Sequence, residues 1–267
     1  MLTVSFFGGL VGLVLGLTGA GGGILAIPAL LFSLGWSLQQ ATPLALMAVA
    51  IAAAIGAAQG LQQGIVRYRA AIVMALAGAP FTSVGIAIAH ATSARVLSLL
   101  FAAIMLIVAY RAWQSGSASK GQQTATERPV PCPLNAQTGR IIWTAKSFAT
   151  IASIGALTGL LSGMLGVGGG FVIVPALRRV THLSMHSIVA TSLMVIALVG
   201  GAGAISALAH GVHIPLAEGL AFGVPTVLGM LIGRYAIRFI SSTHLQKGFA
   251  LLVLGVSAWL LWKSVQG

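Results

Sequence analysis

The sequence has almost no acidic residues and very little charge of any kind. Of its 267 residues only 6% are charged, there is no aspartate, and Glu127 and Glu218 are the two acids. A soluble domain carries roughly a quarter charged residues. The shortage of charge excludes an ordinary soluble protein, and the shortage of carboxylates disfavours a cation or metal site inside the protein.

Signatures of enzymes are also missing. The single cysteine, Cys132, excludes an internal disulfide. There is no His-Glu-x-x-His run, and the glycine-rich runs lack the βαβ pattern and acidic residue of a dinucleotide site. The run "GLLSG" at 159–163 resembles the serine site of rhomboid proteases only in part, since it lacks a glycine two residues before the serine. We expect no enzyme, no cofactor and no metal.

Apolar residues are what the chain has in abundance. They make up 58% of it, the mean hydropathy is +1.02, and no charge precedes Arg67. The net charge of +12 could indicate nucleic-acid binding, but basic residues also flank membrane spans on the cytoplasmic side. We therefore predict an all-α polytopic membrane protein in contact with lipid and not with nucleic acid. Apolar segments lie near 4–35, 41–62, 70–90, 95–113, 147–177, 187–209, 216–233 and 245–263.

A polar stretch at 114–146, rich in Ser, Gln, Thr and Pro, divides the chain in two. Its composition is typical of a disordered linker. We predict a first transmembrane repeat at 1–113, the linker at 114–146 and a second repeat at 147–267. The two repeats share landmarks at offsets of 145–149, namely "GAGGGILAIP" with "GVGGGFVIVP", Thr42 with Thr191, Gln63 with His210, Pro80 with Pro225, and Trp113 with Trp262.

Charge predicts how the repeats insert. As one helix, residues 4–35 would be about 48 Å long, too long for one span. If they instead form a hairpin bent at the glycines, Arg95 and Lys263 fall on one face and the other twelve of the 14 basic residues on the opposite face. Each repeat is then a glycine-broken hairpin plus three transmembrane helices. We predict inverted-topology repeats, which are typical of secondary transporters, with both termini periplasmic and the linker cytoplasmic.

The glycine runs have two explanations. Glycine costs a helix interior about 1 kcal/mol relative to alanine, yet small residues also let helices pack closely in lipid. Alternatively, each run interrupts a helix whose amides and positive N-terminus face an anion near mid-membrane. The candidate amides belong to Gly21, Gly22 and Gly23 in the first repeat and to Gly168, Gly169 and Gly170 in the second.

Hydroxyl groups supply further candidate donors. We assign Thr42, Thr191 and Ser192 to the substrate site, with Thr18 and Ser162 as additional candidates. Each hydroxyl could equally bond to a carbonyl of its own helix. Gln63 and His210 are candidates for coupling, because histidine titrates near physiological pH. Pro80 and Pro225 are candidate kinks in matched helices, with a structural or a gating role.

The paired "GAGGGILAIP" and "GVGGGFVIVP" elements, "ATSL" at 190–193 and the proline-kinked third span of each half resemble the TauE/SafE sulfite exporter family. The resemblance covers both halves. It implies export of small anions such as sulfite and sulfoacetate across the bacterial inner membrane, with the glycine elements, Thr191 and Ser192 in the substrate region. The first half has Pro43 where the second has Ser192, which puts a symmetric hydroxyl pair in doubt.

The prediction from sequence is thus a secondary transporter of small sulfur-containing anions, with substrate held between two glycine turns and moved by alternating access. An anion channel and a carrier of a different small anion remain alternatives. The sequence leaves the coupling ion, the direction of transport and the oligomeric state open, and it is compatible with a homodimer.

Overall fold

The computed structural model describes residues 1–19, 21–117, 130–134, 141–209, 215–236 and 242–266, which form ten helices. In chain order these are α1 (Leu2–Thr18), α2 (Gly21–Leu34), α3 (Leu38–Gln62), α4 (Tyr68–Ala91), α5 (Ala94–Ser117), α6 (Ala145–Leu165), α7 (Gly170–Val180), α8 (Met185–Ala209), α9 (Leu216–Ala236) and α10 (Ser242–Gln266). Five of them, α3, α4, α6, α8 and α9, are long and apolar enough to cross a membrane. The prediction of an all-helical polytopic membrane protein is confirmed.

The first apolar segment is two helices that fold back on each other. Glycine interrupts the segment after Thr18, and α2 then runs antiparallel to α1. Gly22, near the start of α2, lies against Leu15 at the end of α1. At the other end of the pair, the rings of Phe7 and Phe32 meet edge to face with centroids 5.3 Å apart. The chain from 2 to 34 is therefore a hairpin and not one long helix.

The second glycine run has the same effect. Helix α6 ends at Leu165 and α7 begins at Gly170. Gly169 lies against Thr158, seven residues before the end of α6, so α7 also runs back along its predecessor. This hairpin is shorter, because α7 has 11 residues where α2 has 14.

Helices of one half pack on helices of the other through glycine stripes. Three glycines of α1, each four residues apart, lie against main-chain atoms of α9, and three of α6 lie in the same way against α4. At each such position the partner helix's carbonyl oxygen occupies the space that a Cβ atom would need. The pairs are Gly8 with Phe222, Gly12 with Thr226, Gly16 with Met230, Gly155 with Met74, Gly159 with Gly78, and Gly163 with Thr82.

The register of these pairs gives the relative direction of the helices. In each stripe the residue numbers of the two partner helices rise together, so α1 is parallel to α9 and α6 is parallel to α4. In contrast, α3 and α8 are antiparallel, since Gly60 lies against Ala190 whereas Gly203 lies against Leu46. The helices that correspond by sequence, α3 and α8, thus cross each other in opposite directions.

Part of the predicted disordered linker is packed against the second half. Cys132 is fully buried, and its N–H donates to the carbonyl of Val180 at the end of α7 at 3.0 Å. The Ser147 hydroxyl donates to the carbonyl of Pro131 at 3.1 Å. The expectation of disorder is therefore wrong for residues 130–134, because apolar burial and main-chain hydrogen bonds hold them between α6 and α7.

The glycine stripes predict that one added methyl group disrupts the fold. Gly159→Ala would place a Cβ against the carbonyl of Gly78, where both helices have only backbone that cannot rotate away. We expect destabilisation of about 1–3 kcal/mol, measured as a lower Tm in detergent. Gly223→Ala, in α9 with nothing within 4 Å of its Cβ, is the matched control and should leave Tm unchanged or raised, since alanine favours helix. Equal Tm values for both variants would contradict the close contact.

The burial of Cys132 also predicts that its thiol reacts slowly. Desolvation raises the pKa of the Cys132 thiol above its ordinary value, and the hydrogen bond to Ser147 offsets this only in part. Because the thiolate is the reactive form, less of it is present at pH 7 to 8 than in an exposed cysteine. We expect reaction with a maleimide at least ~10-fold slower in the folded protein than in SDS. Equal rates in the two states would show that residues 130–134 are not packed.

Candidate substrate site

The first glycine turn is held by the side chain of Thr18, the residue directly before Gly19. Gly19 has a left-handed φ of 68°, and its N–H donates to the carbonyl of Leu15. The N–H of Gly21, at the start of α2, donates to the hydroxyl of Thr18 at 2.8 Å. The same hydroxyl donates to the carbonyl of Val14. Thr18 therefore caps the start of α2 and uses one of its unpaired amides.

The second turn is longer, and glycine occupies each of its positions with a left-handed φ. Gly166, Gly168 and Gly169 have φ values of 67°, 72° and 66°, a region that side chains make costly and glycine does not. Gly169 precedes α7 without any side-chain hydrogen bond to the helix start. The N-cap residue of α7 thus supplies no side-chain hydrogen bond, whereas Thr18 supplies one at the start of α2.

The two turns meet in the middle of the protein. The carbonyl oxygen of Val167 lies where a Cβ on Gly23 would be. Gly168 lies between Ile196 of α8 and Val49 of α3, both near the midpoints of their helices. The starts of α2 and α7 are therefore adjacent near half the height of the long helices.

All the predicted glycines are buried and most are tightly packed. A Cβ on Gly21 would meet the ring of Phe249, and one on Gly22 would meet Leu15. A Cβ on Gly169 would meet Thr158. Close packing thus requires glycine at these positions, which is the packing explanation derived from the sequence. The alternative role of their amides, in binding an anion, stays a prediction.

The predicted hydroxyls are divided between two places. Thr42 lies against Gly166, beside the second turn. Thr191 is fully buried and accepts a hydrogen bond from the N–H of Arg67 at 3.0 Å. Ser192 donates to the carbonyl of Ile188 in its own helix at 2.8 Å. Ser192 therefore bonds to a carbonyl of its own helix, which is the alternative to substrate binding for each of these hydroxyls.

Contacts correct the pairing of Thr42 with Thr191. Gly19 and Gly166 correspond between the repeats, and they lie against Val189 and Thr42 respectively. The structural counterpart of Thr42 is thus Val189, two residues before Thr191. The sequence alignment missed this because a hydroxyl two positions away gave a better match.

Three of the four predicted coupling and gating residues, Gln63, Pro80 and Pro225, lie outside the glycine turns. Gln63 is exposed at the end of α3, and His210 lies outside the described residues. Pro80 and Pro225 lie inside α4 and α9. Proline cannot donate to the carbonyl four residues before it. At Pro225 this carbonyl, on Ala221, accepts instead from the hydroxyl of Ser5 in α1 at 2.9 Å.

The two prolines do not occupy equivalent positions. Gly85 packs on residues 160–164 of α6, as Gly233 packs on residues 13–17 of α1. This register pairs α4 with α9 at an offset of 148, so that Pro80 corresponds to Leu228. The sequence alignment of "GAPF" with "GVPT" is shifted by three residues, almost one helical turn.

Sequence reasoning missed two features. The glycine stripes have a visible signal, four-residue spacing that recurs after 147 residues. Thr158 has none, yet its hydroxyl and that of Ser162 are buried without a hydrogen-bond partner among the described residues.

Comparison with known proteins agrees with this architecture. The chain matches the family described as "Sulfite exporter TauE/SafE" over residues 4–260. Two proteins from Xylella fastidiosa, strains Temecula1 and 9a5c, each named "Probable membrane transporter protein", are 32% identical over 262 residues, which is 96% of this chain and 93% of each relative. No solved structure matches the chain. The chain belongs to the TauE/SafE sulfite exporter family.

Proposed function

We propose that this membrane transporter exports small sulfur-containing anions, such as sulfite or organosulfonates like sulfoacetate, across the bacterial inner membrane by alternating access. The observation that carries the proposal is the meeting of the two glycine turns. Gly23 and Val167 bring the starts of α2 and α7 together at mid-height. Helix N-termini attract negative charge, and in secondary transporters interrupted helices of this kind hold anionic groups.

The proposal includes two inverted repeats. Its support is the antiparallel packing of the corresponding helices α3 and α8, together with the parallel pairs α1 with α9 and α4 with α6. If consecutive elements alternate in direction, these three relations all require the halves to be upside down to each other. The same alternation puts both termini on one face and the linker on the other, and the distribution of Lys and Arg makes the linker face cytoplasmic.

Charge supports an anion as the substrate. The linker-side ends of the helices carry most of the basic residues, including Arg67 and Arg234. Arg234 of α9 reaches α3, where its guanidinium donates to the carbonyl of Gly56. A surface rich in one sign of charge concentrates ions of the opposite sign. Cytoplasmic anions would therefore gather at the face from which export begins.

The polar groups of the site have distinct roles in this proposal. Main-chain N–H groups of the two glycine turns offset part of the anion's charge. Thr42, beside Gly166, and Thr191 contribute hydroxyl donors. The hydrogen bond between Thr191 and Arg67 uses an acceptor lone pair of the hydroxyl, so the hydroxyl proton is not used in that bond. Ser192 would have to release Ile188 in order to donate to a substrate.

Transport in proteoliposomes tests the function. We expect sulfite or sulfoacetate flux that saturates and is accelerated by substrate on the opposite side. Thr191→Val should raise KM about 10-fold, the loss expected for one hydrogen bond to a charged group. Thr226→Val is the matched control, because Thr226 is equally buried but donates to Phe222 in its own helix. Linear flux without trans-stimulation would indicate a channel, and flux of a different anion alone would reassign the substrate.

Cysteine labelling tests the orientation. On a Cys132→Ser background, Leu2→Cys at the exposed start of α1 and Ala145→Cys at the start of α6 should lie on opposite faces. A membrane-impermeant maleimide applied to spheroplasts should label Leu2→Cys at once and Ala145→Cys after permeabilisation. Labelling of both sites before permeabilisation would contradict the inverted topology.

A further inference from the structure

Two buried hydroxyls behave differently from the others in this protein. Thr158 and Ser162 of α6 are fully buried, and neither hydroxyl has a hydrogen-bond partner among the described residues. Several other buried hydroxyls donate to a carbonyl one turn back, as in Thr82 with Gly78. The same is true of Thr181, Ser192 and Thr226. Within the described part of the chain, the other buried side-chain nitrogen and oxygen atoms without a partner belong to Ser33 and Arg67, which are partly exposed residues.

An unpaired buried hydroxyl costs about 1–3 kcal/mol. Because most buried polar groups in native proteins are hydrogen-bonded, such a group calls for an explanation, such as a functional role or a bound water or ion. Both hydroxyls are on α6, four residues apart, and residues at this spacing share one face of a helix. They therefore form a polar pair on one face of α6.

The first repeat shows that the fold does not need this pair. Gly169 lies against Thr158 in the second repeat, and its counterpart Gly22 lies against Val11 and Leu15 in the first. At the offset of 147 that relates these glycines, Thr158 corresponds to Val11 and Ser162 to Leu15. Purely apolar side chains therefore satisfy the same packing position in the other hairpin.

The pair lies beside the start of α7. The methyl group and the carbonyl of Thr158 border Gly169, the residue before α7, which as N-cap supplies no side-chain hydrogen bond to the helix. Thr158 is also near mid-height, because the neighbouring Gly159 packs on Gly78 within α4. Thr158 and the residue before α7 are thus neighbours in the buried interior, and Ser162 lies one helical turn further along α6.

We propose that Thr158 and Ser162 bind one oxyanion group at the start of α7, and that this site favours a group that carries one negative charge, such as a sulfonate, over a group that carries two. The inference rests on the proposed function and identifies the half of the protein that holds the negative group. Each hydroxyl donates one hydrogen bond to an anion oxygen, and the helix end contributes roughly half a positive charge.

On the two helices that form this place, full charges lie only near the helix ends. On α6 and α7 the charged side chains are Lys146, in the first turn of α6, and Arg178 and Arg179, in the last turn of α7. Lys146 is twelve residues before Thr158, about 18 Å along the helix. A second negative charge on the bound group would remain uncompensated in a medium where charge is costly. Hydrogensulfite and sulfonate groups, with one charge each, fit this environment better than sulfate.

Isothermal titration of the purified full-length protein tests the site, with methanesulfonate and hydrogensulfite as probes and sulfate as the comparison. We expect Thr158→Val and Ser162→Ala each to weaken binding of the monoanions by about 10-fold or more. Thr226→Val, with its hydroxyl bonded to its own helix, should leave Kd unchanged. Wild-type protein should bind the monoanions at least ~10-fold more tightly than sulfate.

The Tm without anion separates a binding role from a structural one. Removing an unpaired buried hydroxyl should leave Tm unchanged or raise it. A lower Tm in both Thr158→Val and Ser162→Ala would overturn the inference, as would an unchanged Kd or tighter binding of sulfate. Unchanged Kd in these variants, with anion binding and transport intact in the wild type, would leave the proposed function standing. A wild type that neither binds nor transports any of the anions would overturn both.

Discussion

Direct contact between helix backbones is the constraint on which this structure depends. In lipid the hydrophobic effect does not drive helices together, so association relies on van der Waals packing at short distance. The glycine stripes of α1 and α6 provide that distance, since carbonyl oxygens of α9 and α4 occupy the places of absent Cβ atoms. Each stripe joins helices from different halves and so fixes one half against the other.

The glycine turns extend the same constraint to the centre of the molecule. Gly23 has no side chain, so the carbonyl of Val167 can pack directly against it. This close contact lets two hairpins from different halves meet. The triplets therefore serve packing whether or not an anion binds. In the proposed function, the packing and the anion site are one arrangement, because close approach of the turns is what brings two helix N-termini to one place.

The two halves share a fold but differ in polarity at the turns. In the first half, Thr18 caps the start of α2, and Val11 and Leu15 line its hairpin. In the second half, the N-cap residue Gly169 supplies no side-chain hydrogen bond to α7, and Thr158 and Ser162 replace the apolar pair. Each half has a glycine-broken hairpin and a glycine stripe, so the two halves pack alike although their turns differ in length and in side-chain polarity. The asymmetry assigns the proposed oxyanion site to the second half.

The amino-acid sequence by itself determined the class of the protein, its division into two matched halves, the hairpin at each glycine run and the family. These follow from hydropathy, charge and spacing, which act along the chain and need no knowledge of neighbours. Register between distant helices was decided only by the tertiary structure. In the structure the counterpart of Thr42 is Val189 and that of Pro80 is Leu228. Aligning residue types in a repetitive apolar sequence fixes the register of corresponding helices only to within about one turn. Which hydroxyls are already bonded, as in Ser192, and which are left without a partner, as in Thr158, likewise depends on rotamers and neighbours that packing alone selects.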